Sequence, residues 1–108
     1  MDKSWVFVAE ETSVPKGEGR RVEHEGREVA LFHTLDGWFA VDSHCPHKQG
    51  PLADGIVAGK AVFCPLHNWK IDLTNGCAVA GGEGKIGSYP VQVAEGRVYI
   101  FFNENKQS

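Results

Sequence analysis

Apolar residues in this chain come in short bursts, each a few residues long, broken by polar pairs that end in glycine. The bursts are rich in Val, Ile, Phe, Tyr and Trp, residues that suit a pleated, half-buried surface. Read with a period of two, they predict strands over 5–9, 20–24, 27–33, 38–41, 61–63, 69–72, 89–93 and 97–102. Between the bursts fall Glu25-Gly26, Asp36-Gly37, Asp54-Gly55, Asn75-Gly76 and Glu95-Gly96, pairs that supply the positive φ of tight turns. No window of a dozen residues repeats with the period of a helix, so helix should be nearly absent. Strands roughly every 8–12 residues predict an all-β fold, a small sandwich or barrel. Two stretches interrupt the rhythm. Residues 43–55 hold two prolines and two glycines around one Cys and two His, and residues 76–87 hold five of the thirteen glycines and no strand pattern. Both are expected to be ordered loops beside a functional site, carried by a rigid scaffold. Trp5 and Trp38 read as sandwich core, His33 as a half-exposed strand residue, and the polar tail 103–108 as frayed.

Composition narrows the classes. The 108 residues make room for one domain, 1–108, with one modest core. Apolar residues at 42% and charged residues at 23% are ordinary for a globular protein and argue against disorder. A formal net charge of −3 argues against nucleic acid as partner, since tracking phosphates needs a cationic surplus. No apolar run approaches the ~20 residues of a membrane span. The first apolar burst ends at Glu10-Glu11, too short for a signal-peptide core, so a cytoplasmic location is expected. Three cysteines make a disulfide scaffold a poor fit and bring metal binding forward.

The candidate chemistry lies in Cys45-Pro46-His47 and Cys64-Pro65-Leu66-His67, a C-x-H and a C-x-x-H separated by sixteen residues. Each offers one soft thiolate and one imidazole, a donor set suited to zinc or to iron–sulfur chemistry. Structural zinc sites usually pair like with like, two cysteines close together and two histidines close together. Here each pair is mixed. A 2Fe-2S cluster with two thiolates on one iron and two imidazoles on the other is met naturally by two such loops. Zinc would accept the same ligands without requiring the arrangement. Cys77 has no partner at ligand spacing and reads as a small packed thiol.

The two motifs with their surroundings resemble the cluster loops of Rieske iron–sulfur proteins. The first loop is Cys45-Pro46-His47-Lys48-Gln49-Gly50-Pro51-Leu52-Ala53-Asp54-Gly55, and the second is Cys64-Pro65-Leu66-His67-Asn68-Trp69-Lys70-Ile71-Asp72-Leu73. The second run, continued by Thr74-Asn75-Gly76, is similar to the small subunit of the cytoplasmic NAD(P)H-dependent nitrite reductase; Tyr89-Pro90-Val91 and Gly96-Arg97-Val98 agree with it. The resemblance implies a Rieske-type β-sandwich with a smaller cluster-binding subdomain inserted at about residues 43–82. It implies one 2Fe-2S cluster, with Cys45 and Cys64 on the buried iron and His47 and His67 on the outer iron. The respiratory-complex branch adds a cysteine in each loop; Gly50 and Leu66 stand at those positions, so that disulfide is absent. The same branch places hydroxyl side chains against the cluster sulfurs where this chain has Trp69 and Ile71. Fewer hydrogen bonds to sulfur disfavour the more negative reduced state, which predicts a potential toward the low end of about −150 to +300 mV. Trp69 would shield the cluster.

The resemblance further implies one-electron transfer without catalysis by the chain alone. The expected partner is the nitrite reductase large subunit, carrying flavin, iron–sulfur and siroheme groups, or another redox protein. A Rieske ferredoxin of an aromatic-ring dioxygenase is the alternative, and a structural subunit with a non-essential metal site is a third. The expected docking tip is residues 44–52 and 64–69, with Pro51, Leu52 and Leu66 as its apolar centre and Lys48 and Gln49 on its rim.

Overall fold

The computed structural model describes residues 5–43, 52–64, 69–80 and 84–102. Their strands are β1 Trp5–Glu10, β2 Glu18–His24, β3 Arg27–Thr34, β4 Gly37–Asp42, β5 Ile56–Ala58, β6 Ala61–Phe63, β7 Lys70–Asp72, β8 Ala78–Ala80, β9 Ser88–Tyr89, β10 Val91–Ala94 and β11 Arg97–Phe101. Only two short 3-10 turns, Glu11–Ser13 and Leu52–Asp54, break the all-β pattern among the described residues. The strands form three antiparallel sheets, ordered β1-β11-β10, β2-β3-β4-β9 and β5-β6-β7-β8.

The central sheet is the key to the architecture. In β3 the consecutive residues Val29, Ala30, Leu31 and Phe32 are all fully buried. A strand covered on both faces reads as an unbroken apolar run, because alternate side chains enter different cores. Val29 and Leu31 join Ala40, Val98, Ile100 and Phe102 in the core shared with the β1-β11-β10 sheet. Ala30 and Phe32 join Val41, Leu52, Val62, Cys64, Trp69, Ile71 and Leu73 in the core shared with the β5–β8 sheet. The molecule is therefore three layers deep, with β3 and β4 in the middle.

Turn chemistry fixes the register at two hairpins. Glu25-Gly26 and Glu95-Gly96 all take positive φ, closing the two-residue turns opposite His24–Arg27 and Ala94–Arg97. Gly55 departs from the expected turn role. A Cβ there would run into the carbonyl oxygen of Phe63, so the glycine serves close backbone approach rather than a left-handed φ.

Several sequence expectations are corrected. Trp5 is 44% exposed: alternation along β1 sends Val6 and Val8 into the core and leaves Trp5 and Phe7 outside, against Phe101 and Tyr99. Trp38 is half-buried against that same core and stacks on His33 with centroids 4.0 Å apart. The strand expected over 89–93 is two strands, because Pro90 has no N–H to donate and marks the change of sheet: β9 pairs with β4, and β10 with β11. The stretch 76–87 carries β8, and β5 lies at 56–58 where no strand was expected. The tail 103–108 lies outside the described residues.

Candidate metal centre

The residues flanking 44–51 and 65–68 pack against one core, and each flanking pair is joined by a backbone hydrogen bond. The first is closed by the Leu52 N–H, which donates to the Ser43 carbonyl at 2.9 Å. The second is closed by the Cys64 N–H, which donates to the Trp69 carbonyl at 2.7 Å and continues the β6–β7 ladder one pair past Phe63–Lys70. Leu52, Cys64 and Trp69 belong to one buried cluster, so a single core anchors both pairs. Cys64 is fully buried. Cys45, His47 and His67 lie outside the described residues, within 44–51 and 65–68. Among the described residues no three metal-ligating side chains come together.

The anchoring extends into the central sheet. Ser43 donates its N–H to the Glu28 carbonyl at 3.1 Å, prolonging the β3–β4 ladder beyond Asp42. Asp42, on the opposite face, accepts from Tyr89 Oη at 2.6 Å and from the Gly87 N–H at 2.7 Å. Burial first, and then the adjacent Asp42 carboxylate, push the Tyr89 phenol well above its usual pKa. Asp72 shapes the turn after β7. Its Oδ1 accepts from Thr74 Oγ1 at 2.6 Å and from the Thr74 N–H at 2.9 Å, which together with Lys60 and Lys70 hold its carboxyl below the usual value.

One polar group here escaped the sequence reading. Ser43 is buried, and among the described residues its hydroxyl has no hydrogen-bond partner. Leaving such a group unpaired costs about 1–3 kcal/mol. No sequence signal marks it, because its isolation comes from tertiary burial. The docking tip is also redrawn: Leu52, Cys64 and Trp69 are buried in the core, so no exposed apolar centre includes Leu52. Cys77 is a half-buried free thiol whose N–H is held by Asn75 Oδ1 at 2.9 Å.

The Rieske 2Fe-2S domain profile matches residues 4–90. The chain belongs to the Rieske 2Fe-2S domain family. The ferredoxin component of the naphthalene 1,2-dioxygenase/salicylate 5-hydroxylase systems of a Ralstonia species is 31% identical over 93% of this chain and 97% of its own length. The 3-phenylpropionate/cinnamic acid dioxygenase ferredoxin subunit of Photorhabdus laumondii is 34% identical over 95% of this chain and 99% of its own. A Mycobacterium tuberculosis chain described as an NADH-dependent nitrite reductase small subunit superposes with a TM-score of 0.88 over 97% of this chain and all of its own. At 24% identity that likeness is one of fold. No described helix is long and apolar enough to cross a membrane.

The Rieske family carries a 2Fe-2S cluster, which supplies a one-electron carrier. The sequence offers the donor set that such a cluster takes, two thiols and two imidazoles in two motifs, and one of those thiols, Cys64, is buried. Cys64 itself is closed to solvent within a hydrophobic core. The chain is a Rieske 2Fe-2S electron-transfer protein.

Proposed function

We propose that Cys45 and Cys64 bind one iron and His47 and His67 the other, within a cluster-binding subdomain of about residues 43–82 in the single domain 1–108. The buried Cys64 carries this assignment, since thiolate ligands gain most from exclusion of water. On this reading the chain is the electron-transfer small subunit of an NAD(P)H-dependent nitrite reductase. What supports that client is the run from Cys64 to Gly76 together with Tyr89-Pro90-Val91. A second reading, the ferredoxin of a ring-hydroxylating oxygenase system, is favoured by the full-length likeness to dioxygenase ferredoxins.

Anaerobically purified protein should hold two irons and two acid-labile sulfides per chain. Cys45→Ser, His47→Ala, Cys64→Ser and His67→Ala should each lose the cluster, and Cys77→Ser should keep it, as read from iron content and visible absorbance. Stoichiometric zinc without sulfide in native protein would overturn the ligand reading. The client is decided by titration. Wild type should raise nitrite-dependent NAD(P)H oxidation by the siroheme large subunit, and a folded His67→Ala should not. Full activity with His67→Ala would make the chain a structural subunit, and turnover of an oxygenase alone would establish the ferredoxin reading.

A further inference from the structure

The outer face of the β5–β8 sheet is both apolar and basic. Val57, Val62 and Ile71 turn inward to the core, so alternation sends Ile56, Phe63 and Lys70 outward in one cross-strand row. Ile56 is 72% exposed, and Val79 on β8 is 54% exposed. The Lys70 ammonium lies 5.7 Å from the centre of the Phe63 ring. Lys60, in the turn between β5 and β6, joins Lys70, Asp72, Thr74 and Val79 around a concavity of about 410 Å³. Lys85 is exposed at the edge beyond β8, where it pairs with Cys77 and precedes the inward Ile86. The described residues 55–64, 69–80 and 84–86 thus hold three lysines and one carboxylate, a net charge of +2. That carboxylate, Asp72, is tied by two hydrogen bonds from Thr74. The whole chain is at −3, so its other residues carry −5. A basic patch in an acidic protein selects its partner by charge.

We propose that this face docks a carboxylate-rich surface of the chain's redox partner, with Ile56 and Val79 at the contact and Lys60, Lys70 and Lys85 around it. This rests on the electron-transfer reading above. An electron carrier must meet its client and leave again, and such encounters use small interfaces, below about 1,200 Å². Two exposed aliphatic side chains ringed by lysines suit that size, and the lysines steer the approach. Phe63, in the middle of the row, directly precedes Cys64, so the face stands one sheet's thickness from a proposed ligand. A second copy of this chain would also offer carboxylates. Its acidic residues lie elsewhere, however, and a basic face meeting a different acidic face is a head-to-tail contact that does not close on itself as a two-fold dimer does. The redox partner is therefore the occupant the charges favour.

The test measures association of the cluster-loaded protein with the nitrite reductase large subunit and, separately, with the oxygenase of a ring-hydroxylating system. Wild type is compared with the double variant Lys60→Glu, Lys85→Glu; Lys70 stays in place because it packs on Phe63. With the client that binds wild type, the double variant should associate about tenfold more slowly at low salt. The gap should narrow as salt rises, because exposed charges are screened. Carbodiimide treatment of the wild-type complex joins an amine to a carboxylate as an amide, the reagent taking up the water lost. The joined peptides should contain Lys60, Lys70 or Lys85. Equal association and equal salt dependence of wild type and variant would overturn the proposal. So would a wild type that self-associates through this face, a variant that does not, and unchanged client binding, which together would establish the second copy as occupant. Should the double variant fail to load its cluster, Lys60→Gln with Lys85→Gln must show a smaller slowing; none there overturns the proposal equally. Failure of the electron-transfer reading looks different, since wild type would then bind neither client, and the proposal would fall with it.

Discussion

The two cores of this molecule share strands but are built differently. On one side of β3 and β4, the β1-β11-β10 sheet brings strands of four to six residues with ladders along their length. On the other side every strand of the β5–β8 sheet has three residues, and Ile56 and Val79 are largely exposed. Such short strands bury little surface against one another, so their stability comes from the central sheet beneath them. Ala30, Phe32 and Val41 supply that floor. Cys64, the one proposed ligand among the described residues, follows β6 in the thin layer, and the thick layer underwrites it. Backbone closeness reinforces the thin layer: Cβ atoms on Gly55 or Gly76 would collide with the carbonyl oxygens of Phe63 and Ile86.

Cutting one side chain from each core is the strongest way to break this comparison. Phe32→Ala should cost about 3–5 kcal/mol and Ile100→Ala about 2–5 kcal/mol, both by leaving cavities in a packed interior. Thermal or urea unfolding measures these losses. The distinguishing measurement is cluster retention below the unfolding transition. Phe32 shares its core with Cys64, so Phe32→Ala should release iron faster than wild type, whereas Ile100→Ala should release it at the wild-type rate. Equal release from both variants would show that the layers act as one unit.

The same contrast explains what could be read from the sequence. The thick layers were legible: the run Val29-Ala30-Leu31-Phe32 declares a strand, and the polar–glycine pairs on either side of β3 declare its limits. The thin layer was half legible. Ala61–Phe63 and Lys70–Asp72 stood out because hydrophobic residues flank a chemical motif. Ile56–Ala58 and Ala78–Ala80 did not, since a three-residue edge strand is made by its neighbour's ladder, not by its own pattern. Trp5 misled because a large aromatic suggests burial, whereas period-two alternation in β1 buries Val6 and Val8. At the candidate site, ligand spacing singles out Cys64, and the structure shows that residue buried. The burial of Leu52 and the isolation of Ser43 depend on which sheet lies over them, and a single strand's sequence does not carry that.

The seam that ties β9 to the thick layer should give way to alkali. Tyr89 donates to Asp42, and its pKa is raised above the usual value of 10.0. Above about pH 10 the unfolded chain gives up this proton while the folded chain keeps it. Stability from the seam is therefore complete below that pH and falls as pH rises through the folded pKa. Tyr89→Phe should cost about 1–2 kcal/mol at neutral pH, the worth of a half-buried hydrogen bond to a charged acceptor. It should also flatten the alkaline decline. Urea midpoints at pH 7 and pH 11 test both, and a decline as steep in Tyr89→Phe as in wild type would move its origin elsewhere.

The smallest expected effect sharpens the comparison from the other side, because the thin layer should respond to acid instead. The Asp72 carboxyl titrates below its usual 3.8, chiefly through the hydrogen bonds from Thr74. In the window between the folded and unfolded values the unfolded chain binds more protons, so stability rises with pH there. The contribution is complete above 3.8 and is lost as pH falls through the folded pKa. Solvent screens this turn, and Asn keeps an oxygen that can accept from Thr74, so Asp72→Asn should cost less than about 0.5 kcal/mol at pH 7. Its signature lies in the slope: between pH 5 and pH 2.5 the urea midpoint should fall less in Asp72→Asn than in wild type. Identical acid slopes for wild type and Asp72→Asn would mean that the Thr74 hydrogen bonds do not favour the charged carboxylate, and the acid sensitivity of the thin layer would have to come from other carboxylates.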